Sequence, residues 1–186
     1  MSAPATKRMT VDEYYEITVE GDRLQLVEGE LIVNDPTPLH ALAQVNILTE
    51  LTNWARAEPG RGVAFSPIDV RVDEHNLFGP DVVWLRETRV PADLARRLDG
   101  LPDLAVEVRS PATWRYDVGK KRSAYERAGL PELWLVDTSA ESVLVFRRST
   151  AAAARFDVEL ELSKLDAVTS PLLPGFSVAA ERVFRR

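Results

Sequence analysis

Cysteine is absent from this chain of 186 residues, and histidine occurs only twice. The lack of cysteine excludes disulfide scaffolds, thiolate zinc sites, iron–sulfur clusters and a cysteine nucleophile, and it is typical of a cytoplasmic protein. With two histidines and no cysteine, a zinc hydrolase is a poor fit to the sequence. Carboxylates are then the side chains to consider first for metal binding.

Long hydrophobic runs are also missing. No apolar stretch approaches the ~20 residues that a membrane-spanning helix needs, and the N-terminal MSAPATKRMT lacks the apolar core of a secretory signal. The motifs GxxxxGK(S/T), GxGxxG, GxSxG and HExxH do not occur, so ATP and nicotinamide cofactors have no support in the sequence. We expect a cytoplasmic protein with no membrane partner.

The composition is that of a globular protein, 45% hydrophobic and 28% charged, with a formal net charge of -6. The length suits a single domain over residues 1–186 with a core of its own. Non-specific nucleic-acid binding rests on basic surface, so the net charge argues mildly against it. A local basic patch formed by Arg115, Lys120 and Arg122 would answer that objection.

Helical signals lie in several segments. Thr10, followed three residues later by Glu13, is a capping box that opens a short helix in TVDEYYEIT. Apolar residues recur at helical spacing through PLHALAQVNILTELTNWARA, the longest predicted helix. A further helix is predicted in DVGKKRSAYERAGL and ends at Gly129, which is typical of a C′ glycine.

Strand patterns occupy much of the remaining chain. Glu28-Gly29 marks a hairpin within RLQLVEGELIV, and strands are also predicted in VAFSPIDVRV, DVVWL, DLAVEV, ELWLVD, SVLVFRR and RFDVELEL. The helix between DLAVEV and ELWLVD predicts a parallel pair joined by a crossover. We therefore expect an α/β (α+β) fold in which one mixed β-sheet carries helices on its faces.

Glu107 lies in the middle of DLAVEVR, which otherwise has the pattern of a buried strand. An ionised carboxylate is costly to bury unless it has a partner or binds a metal. Strand alternation places Glu107 on the same side as Ala105 and Arg109, and Asp81 stands at the head of the preceding strand. Two neighbouring strands that each present one carboxylate can bind a single Mg²⁺, with waters and phosphate oxygens as its other ligands.

Asp117, Lys121 and Tyr125 follow at i, i+4 spacing and share one face of the predicted helix. This helix begins a few residues after the strand that carries Glu107, so Lys121 could reach a phosphate or a water beside that carboxylate. The alternative, on spacing alone, is an ordinary surface ion pair between Asp117 and Lys121, worth at most ~1 kcal/mol.

Several long segments carry a resemblance to a known family. The segments GPDVVWL, LPDLAVEVRSPATWRYDVGKKRSAYERAGLPELWLVD and SPLLPGF resemble the Uma2 family of endonucleases, which belongs to the PD-(D/E)xK superfamily and has a restriction endonuclease-like fold. The earlier segments RLQLVEGELIV and PTPLHALAQVNILTEL fit the family pattern too. The resemblance therefore extends from about Met9 to Phe184.

This resemblance implies roles for individual residues. Asp81 and Glu107 would be the metal-binding acids of the motif, with the carbonyl of Val108 as a third protein ligand of Mg²⁺ or Mn²⁺. Arg109 occupies the position of the motif lysine, where it could clamp a phosphate but cannot exchange a proton as lysine does. The catalytic lysine would then be Lys121, on the next helix.

The resemblance and the helical spacing also indicate auxiliary residues around the two acids and the lysine. His40 matches the family's histidine at the start of the long helix, where it would touch a phosphate, hold a carboxylate in place or have a structural role only. Gln25 stands where the family usually has a glutamate, which argues against a second metal ion. Asp117 and Tyr125 share the helix face of Lys121 and are the remaining auxiliary candidates.

The resemblance implies a divalent-metal-dependent endonuclease that hydrolyses phosphodiester bonds in DNA and acts as a homodimer. Asp81, Glu107 and Lys121 would be its catalytic residues. Two alternatives stay open. A nuclease-fold module could bind nucleic acid or a protein partner without cutting, as Gln25 and Arg109 suggest, or a metal-dependent phosphohydrolase could act on small molecules.

Overall fold

A computed structural model describes residues 8–18 and 23–186 of the chain. The elements in chain order are α1 (Val11–Ile17), β1 (Leu24–Val27), β2 (Glu30–Val33), α2 (Pro38–Ala57), β3 (Val63–Phe65), β4 (Val70–Asp73), β5 (Asn76–Phe78), β6 (Val82–Leu85), a 3₁₀ turn (Glu87–Arg89), β7 (Leu104–Val108), α3 (Trp114–Tyr116), a π-helical turn (Asp117–Lys121), α4 (Arg122–Ala128), β8 (Glu132–Asp137), β9 (Ser142–Arg147), β10 (Val158–Ser163), β11 (Ala167–Thr169), β12 (Ser177–Ala179) and α5 (Glu181–Phe184). The predicted absence of a secretory signal concerns an N-terminal segment that lies largely outside the described residues.

The strands form a six-stranded sheet, a four-stranded sheet and a two-stranded sheet. The six-stranded central sheet has the order β10-β9-β8-β7-β6-β3, in which β7 and β8 are parallel and the other neighbours are antiparallel. The four-stranded sheet, in the order β2-β1-β5-β4, is antiparallel throughout. The mixed central sheet with flanking helices and its parallel pair are confirmed.

The expectation that all strands join one sheet is wrong. The chain leaves the central sheet after β3 and enters the four-stranded sheet at β4, and Pro67 lies between these two strands. Because proline has no N–H to donate to a ladder, it interrupts strand pairing at this point. The hairpin β11–β12 within the C-terminal segment is a further element that the sequence patterns did not indicate.

The predicted starts and turns have the expected local geometry. The capping box of α1 is present, with the Glu13 N–H donating to Thr10 Oγ1 at 3.2 Å and the Thr10 N–H donating to Glu13 Oε2 at 2.9 Å. At the turn between β1 and β2, Glu28 and Gly29 have φ values of 51° and 79°, the left-handed backbone of a two-residue hairpin turn. Gly129 ends α4 at φ 92°, as expected for a C′ glycine.

The central sheet is covered differently on its two faces. One face packs against α2, the β11–β12 hairpin and α5, and its core includes Ile47, Leu51 and Trp134. The other face packs against α4 and one side of the four-stranded sheet, with Tyr125 and Phe78 in the contact. The opposite side of the four-stranded sheet is covered by α1.

Strand β7 is buried along its whole length, as expected for a strand covered on both faces. Its side chains alternate between the two cores, with Val106 facing α2 and Ala105 facing α4. Glu107 therefore points toward the α4 side of the sheet. In the described part of the chain, no helix combines the length and apolar character required to cross a bilayer.

Candidate active site

Asp81 lies immediately before β6, and the antiparallel register of β6 and β7 places it beside Glu107 and Val108. The backbone N–H of Val108 donates to Asp81 Oδ2 at 2.7 Å. His40 Nε2 lies 3.1 Å from Asp81 Oδ1. Both carboxylate oxygens are therefore held, one by the neighbouring strand and one by the first turn of α2.

His40 reaches Asp81 because of how α2 begins. Thr37 caps the helix by accepting a hydrogen bond from the His40 N–H at 3.3 Å, and Pro38 occupies the first helical position. Proline is favoured there because its fixed φ suits the helix and its missing N–H needs no partner. The buried His40 ring is thus set at the N-terminal end of the helix that covers this face of the sheet.

Two further residues hold the main chain of Asp81. The carbonyl oxygen of Asp81 accepts hydrogen bonds from Ser66 Oγ at 2.6 Å and from Gln44 Nε2 at 3.0 Å. Gln44 Nε2 also donates to Ser66 Oγ at 2.8 Å. Sequence reasoning missed both residues: the four-residue spacing of His40 and Gln44 was a usable signal, whereas nothing local marks Ser66.

Glu107 belongs to a buried ionic cluster. Lys121 Nζ lies 2.7 Å from Glu107 Oε1 and 3.0 Å from Asp117 Oδ1. The Tyr125 hydroxyl donates to Glu107 Oε1 at 3.0 Å. All four residues are at most 3% exposed, so the interpretation of Asp117 and Lys121 as an ordinary surface ion pair is wrong. Sequence spacing did identify the members of this cluster.

The cluster's electrostatics follow from burial and from an excess of acid. Burial raises the pKa of Glu107 to about 7 against the attraction of Lys121, and the nearby charges of Asp117 and Asp81 also raise it. Burial disfavours the Lys121 ammonium, but Asp117 and Glu107 outweigh that effect and raise the Lys121 pKa above its ordinary value. Lys121 is therefore cationic, and its single charge faces several carboxylates.

The π-helical turn sets the direction of Lys121. Asp117 is fixed by a chain of hydroxyls, since Thr113 Oγ1 donates to Asp117 Oδ2 at 3.0 Å and shares a hydrogen bond of 2.8 Å with Ser110 Oγ. Asp117 and Lys121 are the first and last residues of the π turn. Such turns are often found at functional sites, because the wider turn displaces a side chain from its α-helical direction.

Arg109 and Lys120 lie outside the cluster. Arg109 Nη1 donates to both carboxylate oxygens of Asp137 at 2.9 Å. Lys120 Nζ lies 2.9 Å from Glu28 Oε2. Both cations are thus engaged by acids elsewhere, whereas Lys121 is the lysine that contacts Glu107.

Gln25 lies in β1 and is 6% exposed. It lines a cavity of about 700 Å³ that Asp81 and His40 also line. Glu107 and Lys121 are not among the lining residues. The cavity therefore reaches Asp81 and does not reach the Glu107–Lys121 pair.

The oxygen donors fit a hard divalent cation. Asp81 immediately precedes β6 and Glu107 lies on its partner strand β7, so the two carboxylates come from neighbouring strands. Mg²⁺ is commonly held by one or two carboxylates, with waters and phosphate oxygens completing its shell. In residues 8–18 and 23–186, no three histidine, aspartate or glutamate side chains converge as a ready-made metal centre. The set therefore fits a cation that depends on water and substrate for its other ligands.

Comparison with known proteins gives a family and a fold. The model of the Uma2 family, described as "Putative restriction endonuclease", matches residues 11–181. None of the curated proteins matches the chain. The crystal structure of a putative nuclease belonging to DUF820 from Anabaena variabilis ATCC 29413 is similar, with a TM-score of 0.77 and 18% sequence identity over 95% of this chain and 97% of that one. At this identity the likeness shows a shared fold.

Proposed function

This chain belongs to the Uma2 family of restriction endonuclease-like proteins, and we propose that it is a divalent-metal-dependent nuclease that hydrolyses phosphodiester bonds in DNA. The observation that carries the proposal is the meeting of Asp81, Glu107 and Lys121 at one buried place. Asp81 and Glu107 would supply the metal ligands, and Lys121 would supply a positive charge next to them.

Asp81 and Glu107, with the carbonyl of Val108, would hold the cation, which we propose to be Mg²⁺ or Mn²⁺. A divalent cation, when bound, polarises the phosphoryl group and lowers the pKa of a bound water. His40 keeps Asp81 in place through its contact with Oδ1. The excess of carboxylate over ammonium in the cluster supports this assignment, because an added cation would balance it.

Lys121 acts as a charge rather than as a base in this proposal. Its raised pKa keeps the ammonium protonated, so it can orient the attacking water or stabilise negative charge on the pentacovalent phosphorus. Asp117 and Tyr125 position the ammonium and Glu107 by direct contact. Arg109, which the Asp137 carboxylate engages, has no direct role in this mechanism.

A non-cutting module that binds nucleic acid or a partner is the second candidate. It is favoured by the Lys121–Glu107 contact of 2.7 Å, which satisfies Glu107 without a metal. The two candidates differ in what the metal does. A nuclease needs it for cleavage, whereas binding by a non-cutting module is unchanged when metal is removed.

The deciding experiment measures cleavage of single- and double-stranded DNA in Mg²⁺, in Mn²⁺ and in EDTA. We expect the parent to cut with metal only, and Glu107→Gln to lose at least about 10³-fold in rate. The matched control is Glu132→Gln, an equally buried acid on β8 whose loss should leave cleavage within about threefold. Equal cleavage by parent and Glu107→Gln would show that the site is wrongly assigned.

Calorimetric titration of Mn²⁺ tests the metal site without a substrate. The parent should bind, and Asp81→Asn should bind at least about tenfold more weakly, because it removes one of two carboxylate ligands. No cleavage under any metal condition, together with DNA binding that EDTA leaves unchanged, would favour the non-cutting module.

We propose that residues 1–186 form one nuclease-type domain, that the protein acts as a homodimer and that it is cytoplasmic. A dimer would let two sites address both strands of a duplex, in keeping with the two-fold symmetry of most homo-oligomers. Sedimentation equilibrium with and without DNA tests the oligomeric state.

A further inference from the structure

The cavity beside Asp81 is larger than phosphodiester chemistry alone requires. Its volume of about 700 Å³ lies within the ~300–1,000 Å³ range of sites that enclose small organic ligands. One wall is the segment between the 3₁₀ turn and β7, represented by Leu94 and Arg97. The opposite wall includes Gln25 and Asn34 of the β1–β2 hairpin.

Two amide oxygens in this cavity are buried without a partner. Gln25 Oε1 and Asn34 Oδ1 find no hydrogen-bond partner among the described residues. Both residues line the cavity, and Gln25 is 6% exposed. A buried acceptor that is left unpaired is costly, so such atoms usually mark a missing ligand or water.

The register of the hairpin brings the two amides together. Gln25 pairs with Ile32, and Asn34 lies two residues further along the same arm, so both belong to one face of the hairpin. Diagonal neighbours on one face of an antiparallel pair can contact the same group. Neither amide has a role in the proposed cleavage chemistry.

Both unpaired atoms are hydrogen-bond acceptors, so a ligand that satisfies them donates hydrogen bonds. Phosphate oxygens are acceptors themselves and could not pair with the two amide oxygens. A nucleobase, in contrast, presents N–H groups on a flat edge. The walls suit a flat ring as well, because Tyr14, Tyr15 and Phe65 line the cavity and the Arg97 guanidinium lies 3.8 Å from the Tyr15 ring centroid. Aromatic and guanidinium planes are the surfaces on which unpaired bases stack.

We propose that this cavity accepts one unstacked nucleobase next to the scissile phosphate, and that Gln25 and Asn34 favour bases with an exocyclic amine. Adenine, cytosine and guanine carry such an amine, and thymine does not. In a duplex, the pairing edge of the base is already engaged, so the base must leave the stack to enter. The inference rests on the proposed function, since it takes the substrate to be a nucleic acid.

The test measures binding of fluorescein-labelled oligo(dA), oligo(dC) and oligo(dT) in EDTA by anisotropy, with oligomers of about 20 nucleotides to exceed one single-strand site. The parent should bind oligo(dA) and oligo(dC) about tenfold more tightly than oligo(dT), as expected for pairing one buried acceptor. Homopolymers avoid any assumption about which nucleotide occupies the cavity. The oligo(dA)·oligo(dT) duplex should bind more weakly than oligo(dA) alone.

Gln25→Leu and Asn34→Ala should each reduce this preference to within about twofold. The matched control is Asn53→Ala, which removes an exposed amide from α2 that does not line the cavity and should keep the preference. Using two variants at separate positions keeps the test informative if one of them fails to fold. Equal binding of all three homopolymers by the parent, preference retained in both cavity variants, or tighter binding of the duplex would each overturn the inference.

Cleavage assays on the same proteins separate this inference from the proposed function. Metal-dependent cleavage without base preference overturns the cavity assignment and leaves the nuclease standing. Base preference without cleavage under any metal condition overturns the nuclease and leaves the base cavity standing. Metal-dependent cleavage, together with a base preference that both Gln25→Leu and Asn34→Ala lose, supports both.

Discussion

Two glutamates on neighbouring strands of the central sheet are almost fully buried and are satisfied in different ways. Glu107 on β7 is 3% exposed and Glu132 on β8 is 1% exposed. Glu132 accepts hydrogen bonds from Trp134 Nε1 at 2.6 Å and from Ser170 Oγ at 2.7 Å, both neutral donors. Glu107 instead contacts the Lys121 ammonium, which Asp117 shares.

The two acids differ in how far the protein itself balances their charge. Glu132 ties β8 to the loop between β11 and β12, and both of its donors are neutral side chains. Glu107 lies in a cluster with more acids than cations, so it is incompletely balanced by the protein itself. Burial raises the pKa of both acids. They differ in that Glu107 contacts a charged ammonium, whereas Glu132 accepts hydrogen bonds from neutral groups.

Replacing Lys121 should have the largest effect on stability and on cleavage. Lys121→Met removes the cation from two buried acids, and loss of one partner of a buried pair typically costs about 3–5 kcal/mol of unfolding free energy. Cleavage should fall by at least about 10³-fold. Urea unfolding and a cleavage assay measure the two effects.

The neutralised triple variant, Lys121→Met with Glu107→Gln and Asp117→Asn, is the control for this prediction. It should regain much of the stability because no unpaired charge is left buried, and it should stay inactive. A single Lys121→Met variant as stable as the parent would show that the cluster is not held by its charges.

The pH dependence of stability comes next in size. The Glu107 pKa is raised from 4.5 to about 7 in the folded state, so its contribution to stability is fully present below pH 4.5 and is lost as the pH rises to about 7. In metal-free buffer, the parent should therefore lose up to about 3 kcal/mol relative to Glu107→Gln over this range. Denaturant unfolding at several pH values measures the difference.

Glu132→Gln provides a comparison for that measurement. The pKa of Glu132 is also raised, so its contribution to stability should likewise fall as the pH rises. Added Mg²⁺ should offset the loss for Glu107, whose ionised form it would bind, and should leave the Glu132 trend unchanged. An equal response of both acids to Mg²⁺ would contradict the distinction between them.

Removing a neutral hydrogen-bond donor of Glu132 should have a smaller effect on stability. Ser170→Ala leaves one oxygen of Glu132 without its hydroxyl partner, which should lower the unfolding free energy by about 1–2 kcal/mol. Cleavage should stay within about threefold of the parent. Ser123→Ala, at an exposed position on α4, is the matched control and should change stability by less than about 0.5 kcal/mol. A marked loss of cleavage in Ser170→Ala would place Glu132 in the functional site.

Arg109 should give the smallest effect, because Asp137, an acid outside the cluster, engages it. Its ion pair with Asp137 is partly exposed, so Arg109→Lys should cost at most about 1 kcal/mol and change cleavage by less than about threefold. Thermal melting and cleavage rates measure both. A large gain in activity would show that a lysine at this position can reach the substrate.

The sequence predicted the elements that local chemistry specifies. The capping box at Thr10, the Glu28-Gly29 turn and the alternation that sends Glu107 away from Val106 each depend on a few adjacent residues. The grouping of Asp117, Lys121 and Tyr125 followed from helical spacing. Their burial did not, because it depends on α4 packing against the central sheet and the four-stranded sheet.

Long-range features could not be predicted in the same way. The second sheet forms because β1 pairs with β5, a contact between residues about fifty positions apart in the chain. The cavity likewise needs α1, the β1–β2 hairpin, α2 and the segment before β7 to meet. Ser66 contacts Asp81 and Asn34 lines the cavity only because of this assembly, and no pattern in the neighbouring sequence indicates either placement.

The π-helical turn has a consequence for how the spacing of this site can change. Gly119 lies inside the turn, and an in-frame deletion of its codon would allow ordinary α-helical hydrogen bonding. A π turn contains one residue more than the α-helical turn that would replace it, so the side chains after the turn would keep nearly the same directions. Lys121 and Tyr125 would then stay on the side of Glu107, although the codons of Asp117 and Lys121 would lie one codon closer together. The lysine that contacts Glu107 is therefore defined by its place in the fold rather than by a fixed spacing of codons.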